Sequence, residues 1–377
     1  MRIAIGGVRG IPARYGGFET SADETARRIQ KLGHQVTVYC RTAKRGQGLS
    51  EYDGVQLRQL RSFRSKSLET ILHSILVGWD VLRHRHEVDV VHLYNAASAF
   101  GGILVRLAGK PLIMTLDGVE WKREKWGPVA RAVWKIATWL AVRVAHAAVC
   151  DSQTVKDLFE KRYGVKMVYI PYGAKRIEKV SGVYRNFGLE QGKYFIFVGR
   201  LVTEKGVDTL LDAYNALKTE IPLVIVGGNE LDPDYVASLQ RRASAKVHFL
   251  GYQYGEEYES LLYNARAYVS ASKLEGTSPS LLAAMGANVC CLVSAIEENQ
   301  ETGGDSVLYF DGSAEDLAQK LMVLCEQPDV VEEYGARGYD RVISLYNWDA
   351  VTEQYLDAYG EISGGRFSQH STLPSQS

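Results

Sequence analysis

Two successive series of short apolar runs, each alternating with helix-length intervals, leave this chain few folds to choose from. The first series is Ile3–Ile5, Val36–Cys40, Val88–Leu93, Leu112–Leu116, Ala147–Cys150 and Met167–Ile170. Between its first two members, Ser21 to Gly33 has the length of a helix and ends in Lys-Leu-Gly, a good stop signal. The second series is Tyr194–Val198, Leu223–Val226, Val247–Leu250, Ala267–Ser270, Cys290–Val293 and Val307–Phe310. Strands alternating with helices of about a dozen residues predict parallel sheets covered on both faces. The restart predicts two doubly wound α/β domains, joined near Tyr172–Gly192, where glycines and charges replace apolar content. With 377 residues the chain exceeds one ordinary core and fits two. The expected division is a first domain over 1–175 and a second over 176–348. A C-terminal helix over 349–362, able to cross back to the first domain, precedes a disordered tail over 363–377. Two such sheets imply a cleft, with ligand at the carboxyl ends of the strands.

Net charge is zero, but the two halves differ sharply. Residues 1–180 hold 30 Lys and Arg against 16 Asp and Glu, a balance of +14, and the remainder holds 14 against 28, a balance of −14. A basic first half suits an anionic partner such as nucleic acid, a membrane surface or a lipid phosphate, and a merely solvated surface is the competing reading. The five cysteines lack a C-x-x-C pair and sit mostly in apolar runs such as VTVYC and NVCCLV, which predicts buried thiols rather than disulfides or zinc ligands. The longest apolar stretch, Val133 to Cys150, is interrupted by Lys135, Arg143 and His146 and cannot span a bilayer. The opening RIAI leaves no room for a secretory signal, so a cytoplasmic location is expected.

Three segments carry chemistry. After the opening strand come Gly6, Gly7 and Gly10, then Gly16-Gly17-Phe18-Glu19 leading into a helix. Such a turn lets backbone amides approach a phosphate, although a tight turn alone explains it equally well. The dinucleotide fingerprint G-x-G-x-x-G is absent, which disfavours a nicotinamide oxidoreductase. Opening the second series, Gly199-Arg200 and Glu204-Lys205-Gly206 place two cations at a strand's carboxyl end, suited to a departing diphosphate. The third segment is SASKLEGTSPSLLAAMG, in which Ser278-Pro279 reads as N-cap and first helical residue, with Glu275 in the preceding loop. That helix start can bind the same phosphates, and Glu275 can accept from sugar hydroxyls or serve as a cap. Asp232-Pro-Asp234 mimics a metal-binding D-x-D, but a helix cap explains it better, and no metal or other cofactor is expected.

GRLVTEKGVDTLLDAY and EGTSPSLLAAMG resemble the diphosphate-binding and E-x7-E segments of the retaining GT-B glycosyltransferases of family 4. RGIPARYGGFET and TLDGVEWKREKW further resemble a bacterial subgroup that includes rhamnosyltransferases of polysaccharide assembly. The resemblance covers nearly the whole chain. It implies a GT-B fold, two Rossmann-like domains facing across a cleft, and transfer of a hexose from a nucleotide sugar to a lipid-linked or saccharide acceptor. It also implies retention of configuration and no metal. Implied donor contacts are Gly16, Gly17, Gly199, Arg200, Lys205, Glu275, Gly276, Thr277, Ser280 and Leu281. Implied acceptor contacts are Phe18, Glu120, Trp121, Lys122 and Arg123, with Glu275, Arg200, Lys205 and Asp117 at the chemistry.

Two positions depart from the family pattern. Ala283 stands where the second glutamate of E-x7-E meets the nucleotide ribose, and Asp117 replaces a histidine near the donor sugar. The first loses a ribose acceptor, which points to a deoxyribose donor, dTDP-L-rhamnose. A GDP- or UDP-linked mannosyl or glucosyl donor, or a catalytically impaired sugar-nucleotide-binding protein, is the alternative. An epimerase shares the architecture but not these motifs. Trp121 to His146, with Lys122, Arg123, Lys125, Arg131, Lys135 and Arg143, reads either as an interfacial element on an anionic membrane or as a core helix with a solvated basic face. The run Arg58 to Lys66 adds to that positive surface. No nucleic-acid partner is expected.

Overall fold

The computed structural model describes every residue except 14–15, 43–47, 63–68, 117, 123–126, 179, 181, 231 and 365–377, and also excludes the side chain of Lys122. The tail from 365 onward and the expectations placed on Asp117 and Arg123 therefore lie outside the described residues. In the first half the strands are β1 (Arg2–Gly6), β2 (Gln35–Thr42), β3 (Glu51–Tyr52), β4 (Val55–Arg61), β5 (Val90–Tyr94), β6 (Leu112–Leu116), β7 (Ala147–Cys150) and β8 (Met167–Tyr169). Its helices are α1 (Gly17–Lys31), α2 (Glu69–Arg83), α3 (Ala99–Leu107), α4 (Pro128–Val144) and α5 (Gln153–Tyr163). The second half continues with β9 (Phe195–Val198), β10 (Leu223–Val226), β11 (Val247–Gly251), β12 (Ala267–Ser270), β13 (Cys290–Ser294) and β14 (Leu308–Phe310). Its helices are α6 (Val207–Ala216), α7 (Pro233–Arg242), α8 (Gly255–Tyr263), α9 (Pro279–Gly286), α10 (Glu297–Gly303), α11 (Ala314–Glu326), α12 (Pro328–Leu345) and α13 (Trp348–Ser363).

Among the described residues these strands make two sheets, ordered β3-β4-β2-β1-β5-β6-β7-β8 and β11-β10-β9-β12-β13-β14. All pairings are parallel except the edge hairpin β3–β4. Both strand orders reverse beside their opening strand, β1 and β9, and there the crevice at the carboxyl ends forms. The two faces of the first sheet separate by residue parity, as a pleated strand requires. Ile3 and Ile5 pack on the α1 side with Ala22, Ala26 and Ile29, whereas Ala4 packs with Val77, Val105 and Ala141 of α2, α3 and α4.

The chain's end returns to its beginning. Tyr359 on α13 hydrogen-bonds His92 at 2.7 Å, and Arg28 on α1 reaches Asp349 at 2.7 Å. His92 is fully enclosed, also bonded to Thr115 at 2.7 Å, and burial pushes its pKa down to about 3. It is a neutral core group that ties α13 to β5 and β6. Cys40, Cys150, Cys290 and Cys291 are buried and Cys325 is half-buried, and none of them forms a disulfide.

Several elements depart from the sequence reading. Helix α1 begins at Gly17, four residues before Ser21, because its first turn is tied to the preceding loop rather than announced by an apolar stripe. The hairpin β3–β4 has no counterpart in the strand series above. Arg58, read there as surface charge, lies in β4 and bonds Asp80 at 2.7 Å. The joint is less polar in the fold than in the sequence: Tyr172, Ile177, Tyr184 and Leu189 are buried in the common core.

Candidate functional site

The glycine-rich loop after β1 is fastened by the helix it leads into. Arg9 N donates to Glu19 at 2.9 Å and Ala13 N to Asp23 at 2.7 Å, both carboxylates standing on α1. Gly7, at φ +83°, lies so close to β5 that a Cβ would fall 2.1 Å from the Tyr94 carbonyl. Gly16 is the exposed N-cap of α1 and offers no side-chain cap. At Gly17 a Cβ would meet Tyr172 at 3.2 Å and Pro279 of α9 at 3.3 Å. Gly17 is therefore where the first sheet's loop meets the second sheet's helix.

Across the cleft, two turns converge on the adjacent ends of β9 and β12, which are paired strands. Gly206 takes φ +62° with a Cβ position 1.9 Å from the Ala271 carbonyl, so only glycine lets the Thr203–Lys205 turn lie on the end of β12. That approach brings the Lys205 ammonium onto the Glu275 carboxylate. Their side chains are only 16% and 9% exposed. Arg200 is half-buried and forms no ion pair among the described residues.

Helix α9 opens toward the same place. Ser278 is its N-cap and Pro279 its first residue, but the Ser278 hydroxyl makes no capping bond and lies 3.3 Å from Ser280 Oγ instead. Ser280 is in turn held by Tyr268 at 3.1 Å. No side chain caps the first turn of α9, so its amides, with the positive end of the helix dipole, remain available to an anion. Leu281, implied as a donor contact, is 1% exposed with its side chain in the core. Only its backbone can serve a ligand.

Two residues that the sequence reading missed hold the cleft together. Asp151, at the end of β7, accepts from Thr277 N at 3.3 Å, while the Thr277 hydroxyl donates to the Asp151 carbonyl. A Cβ on Gly276 would sit 3.0 Å from the same carboxylate. Glu301 of α10 accepts from Gln153 N at 2.6 Å, Ser152 Oγ at 2.9 Å and Thr154 N at 3.2 Å, capping α5 from across the cleft. Partners 126 and 148 residues away leave no local trace in a sequence.

On the first-sheet side, Phe18, Asn95, Leu116, Gly118, Glu120 and Thr138 line a shallow recess open to solvent. Phe18 and Glu120 thus lie on the same recess. Trp121 does not join them: it is 8% exposed, stacked on Phe159 at 5.8 Å with the Arg162 guanidinium 5.4 Å from its ring centre. Asn95 is a further residue the sequence reading missed. Its backbone sits at φ +74° and ψ +133°, a region that favours glycine, and its side chain accepts from Ala97 N at 2.9 Å. A non-glycine residue held there carries about 1–3 kcal/mol of backbone strain, which the surrounding structure must offset.

Asp232 caps α7 by accepting from Tyr235 N at 3.1 Å, which accounts for the D-x-D look-alike. Among the described residues no cluster of three or more His, Cys, Asp or Glu is placed to hold a metal ion. Nor is any helix of the described residues long and apolar enough to cross a membrane. The site thus offers cations and helix amides for a diphosphate, a carboxylate for hydroxyls, and a small recess opposite.

Comparison with known proteins fits this geometry. Residues 185–341 match the family profile described as glycosyl transferases group 1, and residues 15–175 match that of glycosyltransferase family 4. The alpha-maltose-1-phosphate synthase of Mycolicibacterium smegmatis is 23% identical, over 96% of this chain and 100% of its own length. Among solved structures, the sucrose-phosphate synthase of Thermosynechococcus elongatus superposes with a TM-score of 0.84 at 19% identity, covering 96% of this chain and 99% of the other. HepE of Anabaena, solved with UDP-glucose, has a TM-score of 0.76 at 16% identity and covers 96% and 100%.

Proposed function

Since this chain belongs to the GT-B glycosyltransferases of group 1 and family 4, we propose that it moves a hexose, with retention and without a metal, from a nucleoside diphosphate to a lipid-linked or saccharide acceptor. The setting is the assembly of a bacterial cell-surface polysaccharide at the inner face of the membrane. The observation that carries this reading is the half-buried Lys205–Glu275 pair at the ends of two adjacent strands, with α9 opening uncapped from the same loop.

In this reading residues 176–348 hold the donor and residues 1–175 the acceptor. Arg200, Lys205 and the α9 amides, including those of Ser280 and Leu281, take the diphosphate and stabilise its charge as it leaves. Glu275, already paired to Lys205, accepts from the sugar hydroxyls, and the backbone of Gly199, Gly276 and Thr277 shapes the floor. Gly16 and Gly17 close over the sugar. The acceptor enters the recess of Phe18 and Glu120, and the departing diphosphate helps remove its proton on the face where the new bond forms. Orientation and charge stabilisation supply most of the catalysis, and closure of the cleft excludes the water that would hydrolyse the donor.

The preferred donor is dTDP-L-rhamnose. Ala283 cannot accept from a ribose 2′-hydroxyl, which a dry site would leave unpaired at a cost of about 1–3 kcal/mol, and deoxyribose has no such group. A UDP-linked sugar is the second reading, favoured by the UDP-glucose seen in HepE. A panel of dTDP-, UDP- and GDP-sugars in EDTA, read by acceptor-dependent release of nucleoside diphosphate, tests both. The expected result is preference for dTDP-rhamnose, shifting toward UDP or GDP donors in Ala283→Glu. A wild-type preference for UDP or GDP sinks the rhamnose assignment, loss of activity in EDTA sinks metal independence, and no release from any donor sinks the transferase reading.

A further inference from the structure

Among the described residues, fifteen large apolar side chains are exposed, and nine of them lie on three adjacent helices. These are Leu72, Ile75 and Trp79 on α2, Ile103 and Leu107 on α3, and Val129, Val133, Ile136 and Trp139 on α4. On each helix they recur at intervals of three or four residues, so each set forms a stripe facing away from the sheet. Trp79 and Trp139 are both 51% exposed and Val129 is 79% exposed. The opposite stripes of the same helices, including Val77, Val105 and Ala141, fill the core beneath.

The stripes are drawn into one surface by close packing. A Cβ on Gly101 would lie 1.9 Å from the Ser74 carbonyl, and one on Gly78 would lie 2.4 Å from the Gly101 carbonyl. Helices α2 and α3 therefore touch backbone to backbone, and α4 packs along the other side of α3. A contiguous apolar patch of this kind on a soluble fold marks an interaction surface.

Its charge indicates the partner. Helices α3 and α4 contain no acidic residue, and their exposed charges are Arg106, Arg131, Lys135 and Arg143. The two acids of α2 are occupied, Glu69 facing Arg41 and Asp80 bonded to Arg58 and Tyr39. A second copy docked through a two-fold axis would set these cations against their own counterparts. A bilayer with anionic headgroups answers both the apolar stripes and the positive charge.

We infer that the outer face of α2, α3 and α4 is a docking surface for an anionic membrane, lying on the bilayer rather than crossing it. This deepens the lipid-linked reading of the acceptor, on whose site the same helix borders: Thr138 of α4 lines the Phe18–Glu120 recess while Ile136 and Trp139 point outward. It also widens the expected interfacial element. Trp139 of α4 stays on it, Trp121 is a core residue and Trp134 is half-buried, and side chains of α2 and α3 that the sequence reading did not connect to a membrane join it.

The test uses the full chain and vesicles of phosphatidylcholine alone or mixed with phosphatidylglycerol. Wild type should float with the mixed vesicles and be released by high salt. The pair Trp79→Ser and Trp139→Ser, and separately Arg131→Glu with Lys135→Glu, should each weaken that binding about tenfold or more. Leu345→Ser, exposed on α12, should not change it. Donor turnover with a water-soluble acceptor should stay at the wild-type rate in every variant, which separates failure of the surface from failure of the transferase reading. Equal binding by all variants overturns the proposal. So does a wild-type dimer in solution that the Trp79→Ser and Trp139→Ser pair dissociates, because a second copy would then occupy the face.

Discussion

The pairing of Lys205 with Glu275 lets stability and catalysis be separated by two substitutions. With side chains 16% and 9% exposed, the pair lies largely out of water. Removing one member leaves a desolvated charge without its partner, at a cost of about 3–5 kcal/mol for a fully buried pair. The partial access of Lys205 to water puts the expectation at about 3 kcal/mol, a large share of the roughly 5–15 kcal/mol that holds such a protein folded. Lys205→Ala and Glu275→Ala should each shift the urea midpoint accordingly. Replacing both at once, Lys205→Met with Glu275→Leu, removes both charges and keeps the volume, so the double variant should return to within about 1 kcal/mol of wild type. Catalysis should show no such recovery. The charge-assisted contact of Lys205 to the leaving diphosphate contributes about 2–4 kcal/mol, so turnover should fall by roughly a hundredfold or more in Lys205→Ala and in the double variant. Glu275→Ala should fall with them because it loses its bonds to the sugar hydroxyls. Urea unfolding followed by tryptophan fluorescence gives the first quantity and nucleoside diphosphate release the second. Single variants that lose less than about 1 kcal/mol, or a double variant turning over within tenfold of wild type, would refute the reasoning.

Other expectations follow from single groups. Arg200→Ala removes a cation without an ion-pair partner among the described residues, so turnover should drop roughly a hundredfold while the urea midpoint barely moves; near-normal turnover takes Arg200 out of the mechanism. Folding depresses His92 to about 3 and His73 to about 4 from an ordinary value of 6.5, mainly by burial. The stability they contribute is complete above pH 6.5 and declines as pH falls from there toward 4 and then 3, with a slope approaching about 2.7 kcal/mol per pH unit once both rings protonate in the unfolded chain. An unfolding free energy that is flat from about pH 7 to 5 contradicts this. Asn95→Gly relieves about 1–3 kcal/mol of backbone strain and loses a cap of about 1 kcal/mol, so thermal stability should hold or rise while the KM for acceptor worsens. A drop in stability with unchanged acceptor KM would make Asn95 structural only.

Much of the architecture was legible because it depends on local pattern. The two strand series, the parallel pairing, the restart of the second sheet and the segments around Gly199–Gly206 and Glu275–Ser280 are all written in hydrophobic period and turn residues. The hairpin β3–β4 was not, because β3 is only two residues long, and VQLRQLR beside it carries two arginines three residues apart that leave its apolar alternation too short to stand out. The burial of Trp121 was not legible for a related reason: composition groups it with basic neighbours, and only packing on Phe159 decides that the ring is buried.

What the sequence determined by itself is the set of parts: two nucleotide-fold sheets, glycines where backbones must approach, and two cations and a glutamate at strand ends. What only the tertiary structure decided is how those parts are paired. Lys205 meets Glu275 across 70 residues because Gly206 lies on the Ala271 carbonyl, and Asp151 and Glu301 reach over the cleft to Thr277 and the start of α5. The stripes of α2, α3 and α4 are separate in the chain and become one face only when Gly78 and Gly101 let two helices touch. Periodicity constrains each element through its neighbours in sequence, whereas these contacts depend on distances that the chain acquires only by closing on itself.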